Sequence, residues 1–306
     1  MTSAAKDLHV AQPALGLQVR QLEDEFGIAL LSRHSRGVEA TDAGRVLYDR
    51  AMQMLEMAAE TREEIKALAR GSNQTERIRL GMTPSLMALM GSQILVTARD
   101  ALPGVNLTLV EELSFSLIET LDRDEIDLAL AYEVADRPNL IRHPILEEEL
   151  LFITASRSAG DSDAITLADA LKQELVLAAE KDTVYRMVAG AAERASLPFD
   201  VTYFAQSVPA MVRLAAEGIA SAIMPLGPAI GEIENGRVVA KRIVKPSLAR
   251  VLYMVRSTRR GRFRNEEALD EFVQHMLEIL MQRLGPLARP FDVSRPQITD
   301  DLGDDG

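Results

Sequence analysis

Gln12 and Arg20 are the first residues of this chain whose types and spacing suggest a chemistry. The apolar residues Leu15, Val19, Leu22 and Phe26 recur at helical spacing, which predicts a helix with one buried face. Gln12, Pro13, Gly16, Leu17 and Arg20 fall on the opposite face. Glutamine and arginine can each make paired hydrogen bonds to a base edge, worth about 1–3 kcal/mol. Downstream, Arg33, Ser35 and Arg36 precede Gly37 in a stretch that reads as a small wing. Those side chains suit phosphate contacts or entry into a minor groove. Taken alone, Arg20 reads equally well as a solvated arginine; its place on that face favours recognition.

Catalytic chemistry has little to work with. The four histidines, His9, His34, His143 and His275, show no metal-ligand spacing with one another or with paired carboxylates. There is no nucleophile elbow and no phosphate-binding glycine loop. The run Glu147-Glu148-Glu149 reads as a solvated strand edge. The chain has no cysteine, which excludes disulfide and thiolate chemistry. The expectation is a non-enzyme without cofactor or metal. A net charge of −12 counts only weakly against nucleic-acid binding, because placement matters more than the sum. Arg33-His34-Ser35-Arg36 contains no acid, whereas Asp292, Asp300, Asp301, Asp304 and Asp305 crowd the end of the chain. No apolar run approaches a membrane span or a signal peptide, so a cytoplasmic protein with no membrane partner is expected.

The elements that must position these residues follow from periodicity. Thr2 or Ser3 can cap a short helix to Leu8, and Gln12-Pro13 opens a second, which Gly27 ends. Thr41-Asp42 then caps a long helix to about Arg70. Along it Leu47, Ala51, Met54, Ala58, Thr61, Ile65 and Leu68 alternate at spacings of four and three, the heptad seam of a dimerising helix. Gly71 to Gln74 reads as a hinge. Beyond it strands alternate with helices, which implies parallel βαβ units in two lobes. The boundaries read as 1–41 for the winged helix-turn-helix, 42–70 for the linker helix, and 76–154 with 256–285 for the first lobe. Residues 155–255 form the second lobe and 286–306 a disordered acidic tail. The strands around Leu151 and Leu252 are the expected crossovers.

The stretch AAKDLHVAQPALGLQVRQLEDEFGIALLSRHSRGVEATDAG, Ala4 to Gly44, resembles the signature of the LysR-type transcriptional regulators. Ile126 to Leu130 and Ala216-Glu217-Gly218 through Pro225 are similar to the family's sensor half. Within the family, the DNA-reading segment and the region Gly81 to Pro84 together look most similar to regulators of nitrogen-assimilation control. The resemblance implies an α/β protein: a winged helix-turn-helix, a linker helix, and a two-lobed effector domain of the periplasmic-binding-protein type. It implies a homodimer or homotetramer on pseudo-palindromic double-stranded DNA, a small-molecule effector, and RNA polymerase as a further partner. The effector residues it carries over are Thr83, Ser85, Ser114, Phe115, Tyr132, Gln206, Ser207, Met224 and Pro225. Thr83, Ser114 and Ser207 each stand where a helix begins, which favours an organic anion, although plain N-capping is the competing reading.

Three features depart from the family pattern. Gly16 replaces a usual serine, Leu31 a frequent phenylalanine, and only Met1 to Ser3 precede the paired alanines, where the family has a first helix. The last feature leaves an alternative: a dimeric sensor that has lost DNA binding through N-terminal truncation. A stand-alone solute-binding protein fits less well, because the heptad helix would serve no purpose.

Overall fold

A computed structural model describes residues 5, 11–34, 37–69, 75–160, 162–261 and 263–291. The chain divides into two compact units, Met1–Gln74 and Thr75–Gly306.

In the first unit, helix α1 (Gln12–Phe26) opens with Pro13 in its first turn. It closes on Gly27 at φ 65°, a left-handed value that glycine adopts without strain. Strands β1 (Leu31–His34) and β2 (Gly37–Ala40) pair antiparallel as the wing. Glu23 ties α1 to the wing, its Oε1 accepting the N–H groups of Leu30 at 2.9 Å and Leu31 at 3.1 Å. Thr41 accepts the Gly44 N–H at 3.0 Å and donates to the Ala29 carbonyl at 2.8 Å, which caps helix α2 (Asp42–Ala69). A side chain at Gly44 would come within 2.0 Å of the Leu30 carbonyl, so this close approach requires glycine. The expected helix to Leu8, the wing tip Ser35-Arg36, the hinge and the acidic tail from Asp292 on lie outside the described residues.

The second unit contains two six-stranded sheets. The first is built from β3 (Glu76–Met82), β4 (Val105–Glu111), β5 (Leu128–Tyr132), β6 (Leu140–Glu149), β13 (Ala249–Ser257) and β14 (Ala288–Pro290), in the order β14-β6-β13-β5-β3-β4. Helices α3 (Pro84–Ala101) and α4 (Ser114–Asp122) make the βαβ crossovers, and α9 (Glu266–Leu284) packs on α3. The second sheet is built from β7 (Leu151–Ala155), β8 (Ala164–Thr166), β9 (Leu175–Leu177), β10 (Tyr203–Phe204), β11 (Ser221–Met224) and β12 (Val238–Val244), in the order β10-β9-β11-β7-β12-β8. Helices α5 (Leu167–Ala170), α6 (Thr183–Arg194), α7 (Val208–Glu217) and α8 (Ile230–Glu234) accompany it.

Sheet membership corrects the lobe boundaries. β7 belongs to the second sheet and β13 to the first, so the crossovers fall at Leu150 and in 245–248 rather than after 154 and 255. β14 pairs with β6 and carries the first lobe on to Pro290, past the expected end at 285. Strands β6, β8, β12 and β14 were not foreseen.

Candidate functional site

The reader helix keeps the expected polar face. Gln12, Pro13, Leu17 and Arg20 are exposed and Gly16 is half-buried. The opposite face is less covered than the periodicity predicts. Leu15 and Val19 are half-buried, and Leu22 and Phe26 are 39% and 53% exposed. No residue of α1 is fully buried by the described residues. A side chain at Gly16 would meet nothing within 4 Å. Arg33 lies in β1 with its backbone opposite Val38.

In the linker helix, Leu47 and Ala51 are half-buried, whereas Met54, Ala58 and Ile65 are exposed. Outside the seam, Tyr48, Met52 and Leu55 form a second exposed apolar row, flanked by Val46 and Met57. The apolar surface of α2 is therefore wider than a single heptad seam.

Four of the expected effector residues gather at the C-terminal ends of the parallel strands β3, β4 and β5. The chain runs from β3 to β4 on one side and then back to β5 on the other side of β3, and such switch points in the strand order open a crevice. Thr83 and Ser85 follow β3, Ser114 follows β4, and Tyr132 ends β5; all four are buried. Continuous hydrogen bonds join them. Thr83 Oγ1 lies 3.1 Å from Ser85 Oγ. Ser85 accepts from Arg250 Nη2 at 2.8 Å. Arg250 also donates to Glu148 Oε2, from Nη2 at 2.9 Å and from Nε at 3.2 Å. The Tyr132 hydroxyl donates to the same oxygen at 2.5 Å, and the Tyr132 N–H donates to Ser114 Oγ at 3.0 Å. The Arg250 guanidinium stacks 3.4 Å from the centre of the Tyr132 ring.

The electrostatics follow from burial. Burial raises the Tyr132 hydroxyl well above its ordinary value, and the neighbouring Glu148 raises it further. Burial alone would lower Arg250, but Glu148 and Tyr132 outweigh it and hold the guanidinium above its usual range. Two further carboxylates feel this cation. Glu133, next to Tyr132, and Asp182, at the start of α6 in the second lobe, are both pushed up by burial and partly drawn back by backbone N–H groups and Arg250. Arg186 acts on Glu133 from the second lobe. All three donors to Glu148 converge on Oε2; Oε1, equally buried, has no hydrogen-bond partner among the described residues.

The other expected effector residues fare differently. Ser207 accepts the Ala210 N–H at 3.4 Å, so it caps α7, and it and Gln206 are exposed. Thr83 and Ser114 make no such cap. Phe115 is half-buried beside Ser114. Met224 and Pro225 are buried and lead into Gly227, where a side chain would come within 2.3 Å of the Ser85 carbonyl. That close approach brings the second lobe against the start of α3.

Sequence reasoning missed Glu148, Arg250, Glu133, Asp182 and Arg186. It also misread the glutamate run, which is no solvated edge. Glu147 pairs with Arg289 of β14, Glu148 with Arg250 of β13, and Glu149 with Arg242 of β12 in the other lobe. The Glu149–Arg242 pair is a two-pronged contact at 2.9 and 2.5 Å. Three consecutive carboxylates thus link three strands at the lobe junction. The signal was the strand period: Leu146 and Glu148 share one face, and that face is core.

The described residues contain no cluster of three or more metal-ligating groups, and no helix long and apolar enough to cross a membrane. Residues 71–280 match the LysR substrate binding domain, and residues 1–45 match the bacterial regulatory helix-turn-helix protein of the lysR family. The HTH-type transcriptional regulator BbuR of Bordetella bronchiseptica is 26% identical, covering 88% of this chain and 83% of that protein. The nitrogen assimilation regulatory protein nac of Klebsiella aerogenes is 27% identical, covering 89% and 88%. Among solved structures, full-length CbnR complexed with its target DNA aligns at TM-score 0.65 and 22% identity, covering 90% of this chain and 93% of that one.

Proposed function

This chain belongs to the LysR family of DNA-binding transcription regulators, and from that premise we propose which of its residues read DNA and which sense the effector. Gln12 and Arg20 read base edges from α1, with Pro13, Gly16 and Leu17 lying along the groove. Arg33, Ser35 and Arg36 hold the phosphate backbone. The heptad seam of α2, Leu47, Ala51, Met54, Ala58, Ile65 and Leu68, pairs two copies into a dimer that assembles further into a tetramer. The protein is cytoplasmic and carries no catalytic activity; without cysteine, its sensing uses no thiol.

The effector is a small organic anion held between the lobes by Thr83, Ser85, Ser114 and Tyr132. Phe115, Met224 and Pro225 form the apolar walls, and Gln206 and Ser207 stand at the rim. The observation that supports this best is the buried hydrogen-bonded chain from Thr83 through Ser85, Arg250 and Glu148 to Tyr132 and Ser114, because convergent buried polar groups with perturbed titration at strand ends are what a ligand site requires. Ligand binding draws the lobes together and shifts the oligomer between two geometries on DNA. A screen of small carboxylates tests the sensing role, with DNA footprint and bend angle as readout. At least one is expected to change both; unchanged affinity, footprint and bend across the screen overturn it.

A further inference from the structure

The charges around the cleft do not suit a simple anion. The buried guanidinium of Arg250 is paired with Glu148 and interacts electrostatically with Asp182 and with Glu133, whose Oε1 accepts the N–H of the adjoining Val251; Arg186 and Glu147 also act on Glu133. The side chain of Glu148 is 1% exposed. Its Oε2 receives three donors, from Tyr132 and Arg250, while Oε1 receives none among the described residues. A buried carboxylate oxygen without a donor is costly, and a ligand group that donates to it recovers that cost. A carboxylate ligand placed there would add a fourth negative charge to the three already present. Elsewhere in the cleft, α3 and α4 begin without side-chain caps, so their first N–H groups and the Thr83 and Ser114 hydroxyls remain suited to a carboxylate. The cleft thus has an end suited to a carboxylate and a centre suited to a cation.

We propose that the effector is an α-amino-acid-like zwitterion, its carboxylate at the starts of α3 and α4 and its protonated nitrogen on Glu148 Oε1, with Glu133 and Asp182 adding to the negative field around Arg250. This rests on the reading of the cleft as an anion-binding effector site and specifies its ligand class.

The test uses the full chain in thermal-shift titrations at pH 7 with matched probes: the common α-amino acids, the 2-oxo acids with the same side chains, and the amines lacking the carboxylate. At least one amino acid is expected to raise Tm, with its 2-oxo acid and its amine each at least tenfold weaker. Asp182→Asn and Glu133→Gln are expected to weaken the amino acid about tenfold and the 2-oxo acid hardly at all. Glu148→Gln should do the same, but it leaves Arg250 buried without its carboxylate and is liable to unfold. The other two variants therefore carry the test. A 2-oxo acid that binds as tightly as its amino acid overturns the nitrogen contact while leaving the anion site standing. An amine that binds as tightly as the amino acid overturns the zwitterion and the anion site together. No shift from any amino acid overturns the proposal.

Discussion

Asp182 shows at a single residue how the cleft trades stability for binding. Its Oδ1 accepts the Val184 N–H at 2.9 Å, yet burial holds its carboxyl above the ordinary range. The folded state therefore binds its proton more tightly than the unfolded chain, and stability falls as pH rises from the unfolded value through the raised one. Asp182→Asn keeps the capping oxygen and removes the charge. It is expected to raise Tm at pH 7 and to leave it unchanged at pH 4, as read by calorimetry at both pH values. In the reader, Gly16 has open space where a side chain would stand. Gly16→Ala is expected to stabilise the first unit by about 0.5–1 kcal/mol in denaturant melts. Arg20→Ala should cost about 1–3 kcal/mol against the preferred base and relax specificity there, measured by binding to a set of single-base operator variants. The charged centre of the cleft was hidden at this scale. Arg250 and Glu148 stand 102 positions apart, and no local pattern pairs them.

Elements with a strong period were readable and those without were not. α1, α2, α3 and α9 follow their apolar spacing, α1 ends on Gly27 and α2 starts from its Thr41 cap. β6 was missed because Pro144 lies within it and three glutamates end it, both of which argue against an interior strand. The structure accommodates the proline beside a register shift in the β6–β13 pairing, between Leu252 and Tyr253. It accommodates the glutamates with an arginine each from three neighbouring strands. β12 was missed for a similar reason, since Lys241 and Arg242 interrupt its alternation. α2 yields a prediction of its own. Met54 and Ile65 are 61% and 60% exposed in the single chain. Met54→Asp with Ile65→Asp is expected to leave secondary structure intact and shift the protein toward monomer in sedimentation equilibrium; an unchanged association constant would place the interface elsewhere.

At the scale of the whole molecule, the alternation of strands and helices was enough to predict two lobes and the two strands at which the chain crosses between them, but not to which lobe each strand belongs. That depends on strand partners: Leu151–Ala155 pairs with β11 and β12, and Ala249–Ser257 with β5 and β6. The net charge of −12 likewise says little about a protein that keeps Arg20, Arg33 and Arg36 in its first unit. The most direct test of the account is a footprint of the full chain on the intergenic DNA upstream of its own gene, beside the Arg20→Ala variant. The account predicts protection of two half-sites spaced by a helical turn or a multiple of one, weakened and broadened by the variant. Protection no better than non-specific background at low salt, and the same for both proteins, would contradict it.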